Sequence, residues 1–320
     1  VVQPFSSRRP SMSAERENLV RVAWMYYRDE LTQAQIAERL HVSRATVARM
    51  LDRAKEVGVV TIDIDTRGVG GMELVGAIRA KYGLTDVIVV PQMGRSTSGE
   101  ATNSRIALEA AQYLRRYLHP GATIGVGWGD TVLRTLLALR SDSLRGVTFP
   151  TLTGGIDAYT ARVSGALSNG VAELIRFVPS PLLASSPEVA AMLRKERSVT
   201  SVIELAKSAD AALIGIGGAI ADATILQHGL VTEEQLYDYQ VAGAIGDILG
   251  EWYDKEGNVL AVDLQKVRVG IALADLRSMR NVIAVAGGVD KLDAIRGALD
   301  GGYVGILVTT EDVARELAAD

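Results

Sequence analysis

At 320 residues, with 48% hydrophobic and 22% charged side chains, the chain is long enough for two domains around ordinary globular cores, and no apolar run approaches the roughly 20 residues that span a bilayer. With no cysteine and only three well-separated histidines, His41, His119 and His228, the composition argues against a disulfide framework, a thiolate metal centre or zinc or iron catalysis, and no cofactor is expected. The net charge of −4 hides an asymmetry: residues 1–60 carry ten Lys and Arg against seven Asp and Glu, the remainder 24 against 31, so the basic end is the one suited to meeting phosphate.

Residues 1–13 are polar, proline-broken and aperiodic and read as a flexible arm, with Arg8 and Arg9 available to DNA phosphates. The start of the chain lacks the apolar core of a secretory signal, so a cytoplasmic location is expected. Over 14–28, Leu19, Val22, Ala23, Tyr26 and Tyr27 share one helical face, with Trp24 and Met25 near its edge.

Residues 31–51 carry the most specific spacing in the chain. Thr32 is placed to cap a short helix whose inner face is Ile36, Ala37 and Leu40, and Ala37 is small enough for two helices to cross closely. Val42 plugs the turn. Ser43 caps a second helix with Val47, Met50 and Leu51 inward and Arg44, Ala45, Ala48 and Arg49 outward. This is a helix-turn-helix, with His41 at the turn position often held by glycine, a residue that tolerates unusual backbone angles. The residues placed to contact DNA are Thr32, Gln33, Ser43, Arg44, Ala45, Thr46 and Arg49. Arg44 and Arg49 suit either paired bonds to guanine or phosphate contacts, and spacing alone does not choose. The alternation over 59–65 reads as a short strand, a wing or the lead into a linker at 66–71. The domains expected are therefore an arm at 1–13, a DNA-binding domain at 14–66 and a second domain at 67–320.

From residue 72 the texture changes to alternating helix and strand. Helices are expected at 72–82, 98–118, 131–140, 163–177, 187–193, 199–208, 232–240, 291–299 and 310–319, and strands at 87–90, 123–126, 147–151, 211–216, 282–286 and 304–308. Short Val- and Ile-rich runs bounded by glycine and separated by helices predict an α/β domain with a mainly parallel, doubly wound sheet. A β-hairpin at 252–260, turning at 255–257, interrupts the alternation.

Ligands of such sheets gather outside the carboxyl ends of the strands. Glycine-bearing loops fall at four such ends: 127–130, 153–155, 215–218 and 287–288 with Lys291 one turn on. Singly, each reads equally as a tight turn. In the stretch 122–134, glycines at 125, 127 and 129 allow a close backbone approach, and the amides near Asp130 open a helix that offers unpaired donors. Trp128 is placed either to cover a ligand's apolar face or to pack against the next helix. Asp247 and Lys291 are the charged candidates, against the alternative of an ordinary surface pair.

Taken together, the helix-turn-helix at 31–51, the run from Gly125 to Thr131, the Gly154 and Gly155 loop followed by Asn169, the run 211–217, Gly246 to Gly250 before Tyr253, Asp254 and Gly257, and the run 284–291 leading to 307–309 resemble the SorC family of bacterial sugar-responsive transcriptional regulators over about residues 15–320. The resemblance implies an effector-binding domain similar in fold to sugar-phosphate isomerases and deaminases, and a homotetramer or dimer of dimers on palindromic operator DNA. It places a sugar, polyol or sugar-phosphate effector against Gly127, Trp128, Gly129, Asp130, Thr131, Gly154, Gly155, Asn169, Gly217, Asp247 and Lys291. Where members that bind sugar phosphates tend to carry a small hydroxyl residue and a basic residue, this chain has Asp130 and Thr153. A carboxylate repels phosphate and suits vicinal hydroxyls, which favours a neutral polyol or free sugar, while Lys291 argues the other way. The alternative class is an isomerase- or deaminase-type enzyme using Asp130, Asp247 and Lys291 as acid and base, disfavoured by the helix-turn-helix.

Overall fold

The computed structural model describes residues 12–60, 71–91, 99–156, 170–220 and 223–319. It divides into two compact units, residues 1–65 and 66–320. Almost all of the expected arm, most of the strand at 59–65 and most of the linker fall outside the described residues.

The first unit holds α1 (Met12–Tyr27), α2 (Gln33–Leu40) and α3 (Arg44–Glu56). A single apolar cluster of Val22, Ile36, Ala37, Leu40, Val47 and Leu51 joins all three helices. The turn between α2 and α3 is made by His41 in the left-handed region, at φ 55° and ψ 43°, with the Val42 amide donating to Ala37 O at 3.0 Å. The helix therefore ends as it would on glycine, at the modest strain that histidine bears there. Tyr27 departs from the expected inner face: it is exposed, and meets Tyr26 edge-to-face at 4.9 Å.

In the second unit seven parallel strands form one sheet, in the order β1 (Asp86–Val90), β10 (Ile306–Thr310), β9 (Val282–Val285), β5 (Ala211–Gly215), β2 (Ile124–Val126), β3 (Phe149–Gly155) and β4 (Ile175–Pro181). Successive residues of the strands feed opposite cores. Ala212, Ile214 and Ala284 join one cluster with α4 (Met72–Tyr82) and α13 (Glu311–Ala319), whereas Ala211, Leu213 and Val285 join another with α5 (Gly99–Leu114) and α6 (Asp130–Ala138). The sheet is thus covered on both faces, which is why its central strands read as unbroken apolar runs. After β2 the chain moves outward through β3 and β4; after β5 it moves the other way, to β9 and β10. The crevice between the carboxyl ends of β2 and β5 is the point where strand order reverses, the place where open α/β sheets bind ligands.

One expectation needs correction and another is extended. Within the helix expected at 163–177, residues 163–169 lie outside the described residues; the remainder forms a short 3-10 turn, Ala172–Leu174, followed by β4. Among the described residues this strand has one neighbour, and it carries Pro179 and Pro181, an edge position where missing donors are tolerated. The hairpin return around 252–260 is present, with Asp254 N donating to Asn258 O at 3.0 Å. Its strand, β8 (Glu251–Tyr253), also pairs antiparallel with β7 (Gly246–Ile248), which pairs with β6 (Gly217–Gly218). The β7–β8 turn is Leu249–Gly250, both at positive φ, 57° and 79°, the geometry of a tight two-residue hairpin.

Candidate functional site

In the first unit the structure brings Ser43, Arg44, Ala45, Thr46 and Arg49 onto the opening turns of α3. Ser43 Oγ accepts the Thr46 amide at 3.0 Å and lies 2.9 Å from Thr46 Oγ1, to which Arg49 Nη2 donates at 3.5 Å. Arg44, Ala45 and Arg49 are exposed; Thr46 and Ala48 are half-buried. Arg44 is exposed and makes no ion pair among the described residues, which leaves its five donors available to a partner. Thr32 and Gln33 open α2, where Thr32 Oγ1 accepts the Gln35 amide at 3.3 Å and Gln35 Oε1 accepts the Thr32 amide at 2.9 Å. Sequence reading missed Gln35, although threonine followed three residues later by glutamine is the signature of this reciprocal cap.

In the second unit a cleft of about 820 Å³ opens at the carboxyl ends of β2, β5 and β9. Trp128, Gly129, Asp130, Thr131, Gly217, Asp247 and Lys291 all line it. Gly129, at φ 129°, precedes α6 and brings no capping side chain of its own to the opening turn at the cleft end. Asp130 is not a bare carboxylate: its Oδ2 accepts from Arg134 Nε at 2.7 Å and Asn103 Nδ2 at 3.2 Å. Arg134 also donates to Ser104 Oγ at 2.9 Å and Glu100 Oε1 at 3.0 Å, which fastens the start of α5 to α6. These partners were missed, although Arg134 stands one helical turn from Asp130, a readable i,i+4 pair. Glu100, Thr102, Asn103, Arg105, Arg134, Thr224, Gln227, Asp290, Thr310 and Asp312 complete the polar lining.

Asp247 is 4% exposed and its Oδ2 accepts the Gly250 amide at 3.1 Å. Burial raises its pKa to about 6, and the Gly250 amide with the charges of Lys291 and Arg268 keeps it from rising further. Gly217 faces it across the β6–β7 pair, where a Cβ would stand 2.1 Å from Asp247 Oδ1; only glycine admits this carboxylate to the wall. Lys291 ends the 3-10 turn Val289–Lys291, and its ammonium has no hydrogen bond or ion pair among the described residues. Trp128 is half-buried against three apolar clusters, and its buried Nε1 has no hydrogen-bond partner among the described residues. It therefore packs and lines the cleft at once.

Three expected positions lie off this lining. Gly127 is buried at the end of β2, its amide donating to Leu213 O at 2.8 Å, and a Cβ there would meet Leu249 Cδ2 at 2.8 Å. Gly154 and Gly155 belong to β3; the Gly154 amide donates to Val269 O at 3.0 Å, and Gly155 O accepts from Leu182 N at 2.8 Å. These glycines serve close backbone packing in the structure. Asn169 lies outside the described residues. Among the described residues no group of three or more His, Cys, Asp and Glu is placed to hold a metal ion.

A polar cleft at the switch point of a doubly wound sheet, on a chain that also carries a helix-turn-helix, defines a ligand-responsive DNA-binding regulator. Residues 68–319 match the Sugar-bind family model for a sugar-binding domain, and residues 24–56 match that of Sigma-70, region 4. The chain is 37% identical over 309 residues to the transcriptional regulator LsrR of Enterobacter sp. (strain 638), across 95% of this chain and 94% of that protein. It is 33% identical over 304 residues to LsrR of Escherichia coli (strain K12), across 94% of each. Among solved structures, the full-length sorbitol operon regulator SorC from Klebsiella pneumoniae aligns with a TM-score of 0.71 at 28% identity, over 97% of this chain and 100% of that one. The chain belongs to the SorC family of transcriptional regulators with a sugar-binding domain.

Proposed function

We propose that this regulator reads operator DNA of a carbohydrate operon through α3 and is controlled by a small phosphorylated sugar or polyol bound in the cleft. The observation that carries the effector class is the Lys291 ammonium, without a hydrogen bond or ion pair among the described residues, on the same cleft as the opening turn of α6 and opposite in character to the Asp247 acceptor. One pole suits an anion and the other suits hydroxyl donors. The preference for a neutral polyol rested on Asp130 and on Thr153 in place of a basic residue; the 2.7 Å pairing of Asp130 with Arg134, which also pairs with Glu100, weakens the first of these grounds. Calorimetric titration of pentose, hexose and polyol phosphates beside their unphosphorylated parents tests this. At least one phosphate should bind tightly with its parent at least tenfold weaker, roughly 1.4 kcal/mol; equal affinity for the parents would overturn the anionic pole.

The effector acts by binding one arrangement of the assembled chains better than another, which shifts the DNA affinity by the same coupling energy. The family resemblance supports a homotetramer or dimer of dimers on a palindromic operator. No helix among the described residues is long and apolar enough to cross a membrane, and a role on DNA supports a cytoplasmic location. The chain acts as a regulator and not as an enzyme, since isomerase chemistry has no use for the DNA-reading unit; turnover of a ketose or aldose phosphate would contradict this. Arg44→Ala should weaken binding to an operator selected from random duplexes by about 1–3 kcal/mol if it reads a base. Anisotropy titrations at fixed salt measure it, and unchanged affinity would remove Arg44 from the reading surface.

A further inference from the structure

Behind the cleft wall a guanidinium sits in the protein interior with its donors directed at the turn that carries Asp247. Arg268 is 3% exposed. Its Nε donates to Leu249 O at 2.6 Å, its Nη2 to Ile271 O at 2.5 Å and its Nη1 to Glu251 Oε1 at 3.1 Å. Glu251 Oε2 in turn accepts the Leu273 amide at 2.6 Å. The carbonyl of Arg268 is itself gripped by Arg194, from the end of α7 (Pro187–Leu193). A buried cation of this kind costs more in desolvation than a well-packed apolar side chain would, so its retention asks for a role beyond stability.

The role follows from what Leu249 has to do. A branched residue at φ 57° is held against its own preference, and the Arg268 bond to its carbonyl fixes the peptide that follows. That peptide presents the Gly250 amide to Asp247 Oδ2. We propose that Arg268 is a positioning residue for effector recognition: it clamps the Leu249–Gly250 turn from behind so that the Asp247 carboxylate stays fixed, and ionised, on the cleft wall. The groups facing Asp247 are Lys291 from the turn before α12 (Leu292–Asp300), Arg268 itself and Tyr253 of β8, whose hydroxyl is engaged by Ala294 O at 2.8 Å. The Gly250 amide, Lys291 and Arg268 together oppose the penalty of burial, and of these Arg268 is the charge that also holds the turn presenting that amide.

The proposal rests on the cleft being the effector site, and its test uses no effector, so failure of a sugar screen and failure of the clamp are separate results. In the full chain with ¹³Cγ-labelled aspartate, the Asp247 resonance is assigned by its loss in Asp247→Asn. The double variant Arg268→Met with Glu251→Gln removes the cation without stranding the carboxylate. Its Asp247 midpoint should move up by about one pH unit, and hydrogen exchange at the Gly250 amide should accelerate by about tenfold. Arg268→Lys keeps the charge and loses the fork, so there the exchange should accelerate while the midpoint moves less; this variant also answers the question if the double variant does not fold. A folded variant with lowered melting temperature but an unchanged midpoint and unchanged Gly250 exchange would overturn the proposal, because it would leave Arg268 a purely structural residue.

Discussion

Asp247→Asn should make the protein more stable at pH 7.5, by about 1–3 kcal/mol, while abolishing its response to the sugar phosphate that the titration panel identifies. Burial pushes this carboxyl up to about 6 in the folded chain, against 3.8 for an ordinary aspartate. A raised acid favours the folded state fully below the unfolded value, and that contribution is lost as pH rises through the folded one. Above pH 6 the folded chain therefore bears the full cost of an ionised buried carboxylate, which the amide of asparagine escapes while still accepting from Gly250. Urea unfolding at pH 7.5 and pH 4.5 checks the sign: the stabilisation should shrink on acidification, and an equal gain at both would show that Asp247 is not the titrating group. Function and stability pull in opposite directions here, as they do where a site holds a charge for a ligand.

Gly154→Ala should be among the most damaging small substitutions in the second unit. A Cβ at Gly154 would stand 2.2 Å from Pro181 O, 2.5 Å from Pro181 C and 2.8 Å from Leu182 N, all backbone atoms of the neighbouring strand and its continuation. Neither side can rotate away, so β3 and β4 must part, at a cost of about 3 kcal/mol or more. The contrast is Gly217→Ala, where the obstructing atom is the end of the Asp247 side chain. That variant should keep most of its melting temperature and lose effector binding. Thermal unfolding of the pair separates the two; a mild Gly154→Ala would return the loop at 154–155 to the candidate ligand-contact set.

These two glycines show where sequence reading stops. Both report that a Cβ is unwelcome, and a sequence has no means of saying whether a ligand, a carboxylate or a neighbouring strand is what excludes it. The central strands were legible because burial on both faces leaves only apolar residues, as in β9 and β10. The helix-turn-helix was legible because capping and close crossing each demand particular residues at fixed spacing. The strand β4 was not, since Pro179 and Pro181 normally argue against a strand and its one-sided pairing leaves a mixed, half-exposed pattern. Nor was the Leu249–Gly250 turn: nothing about leucine announces φ 57°. The charge state around Asp130 was half legible, because Arg134 at the i+4 position was in view while Asn103, Ser104 and Glu100 arrive from a separate helix.

The prolines of β4 also constrain how copies of this chain meet. An eighth strand laid against that edge would find no amide at positions 179 and 181 to bond to. Growth of the sheet from one chain into the next is therefore disfavoured at this end, and copies that associated there would meet more readily through side chains than through a shared backbone ladder. Contacts of that kind can be repacked without breaking main-chain hydrogen bonds, so an assembly joined that way would yield to a small molecule more readily than one sewn together by a continuous sheet.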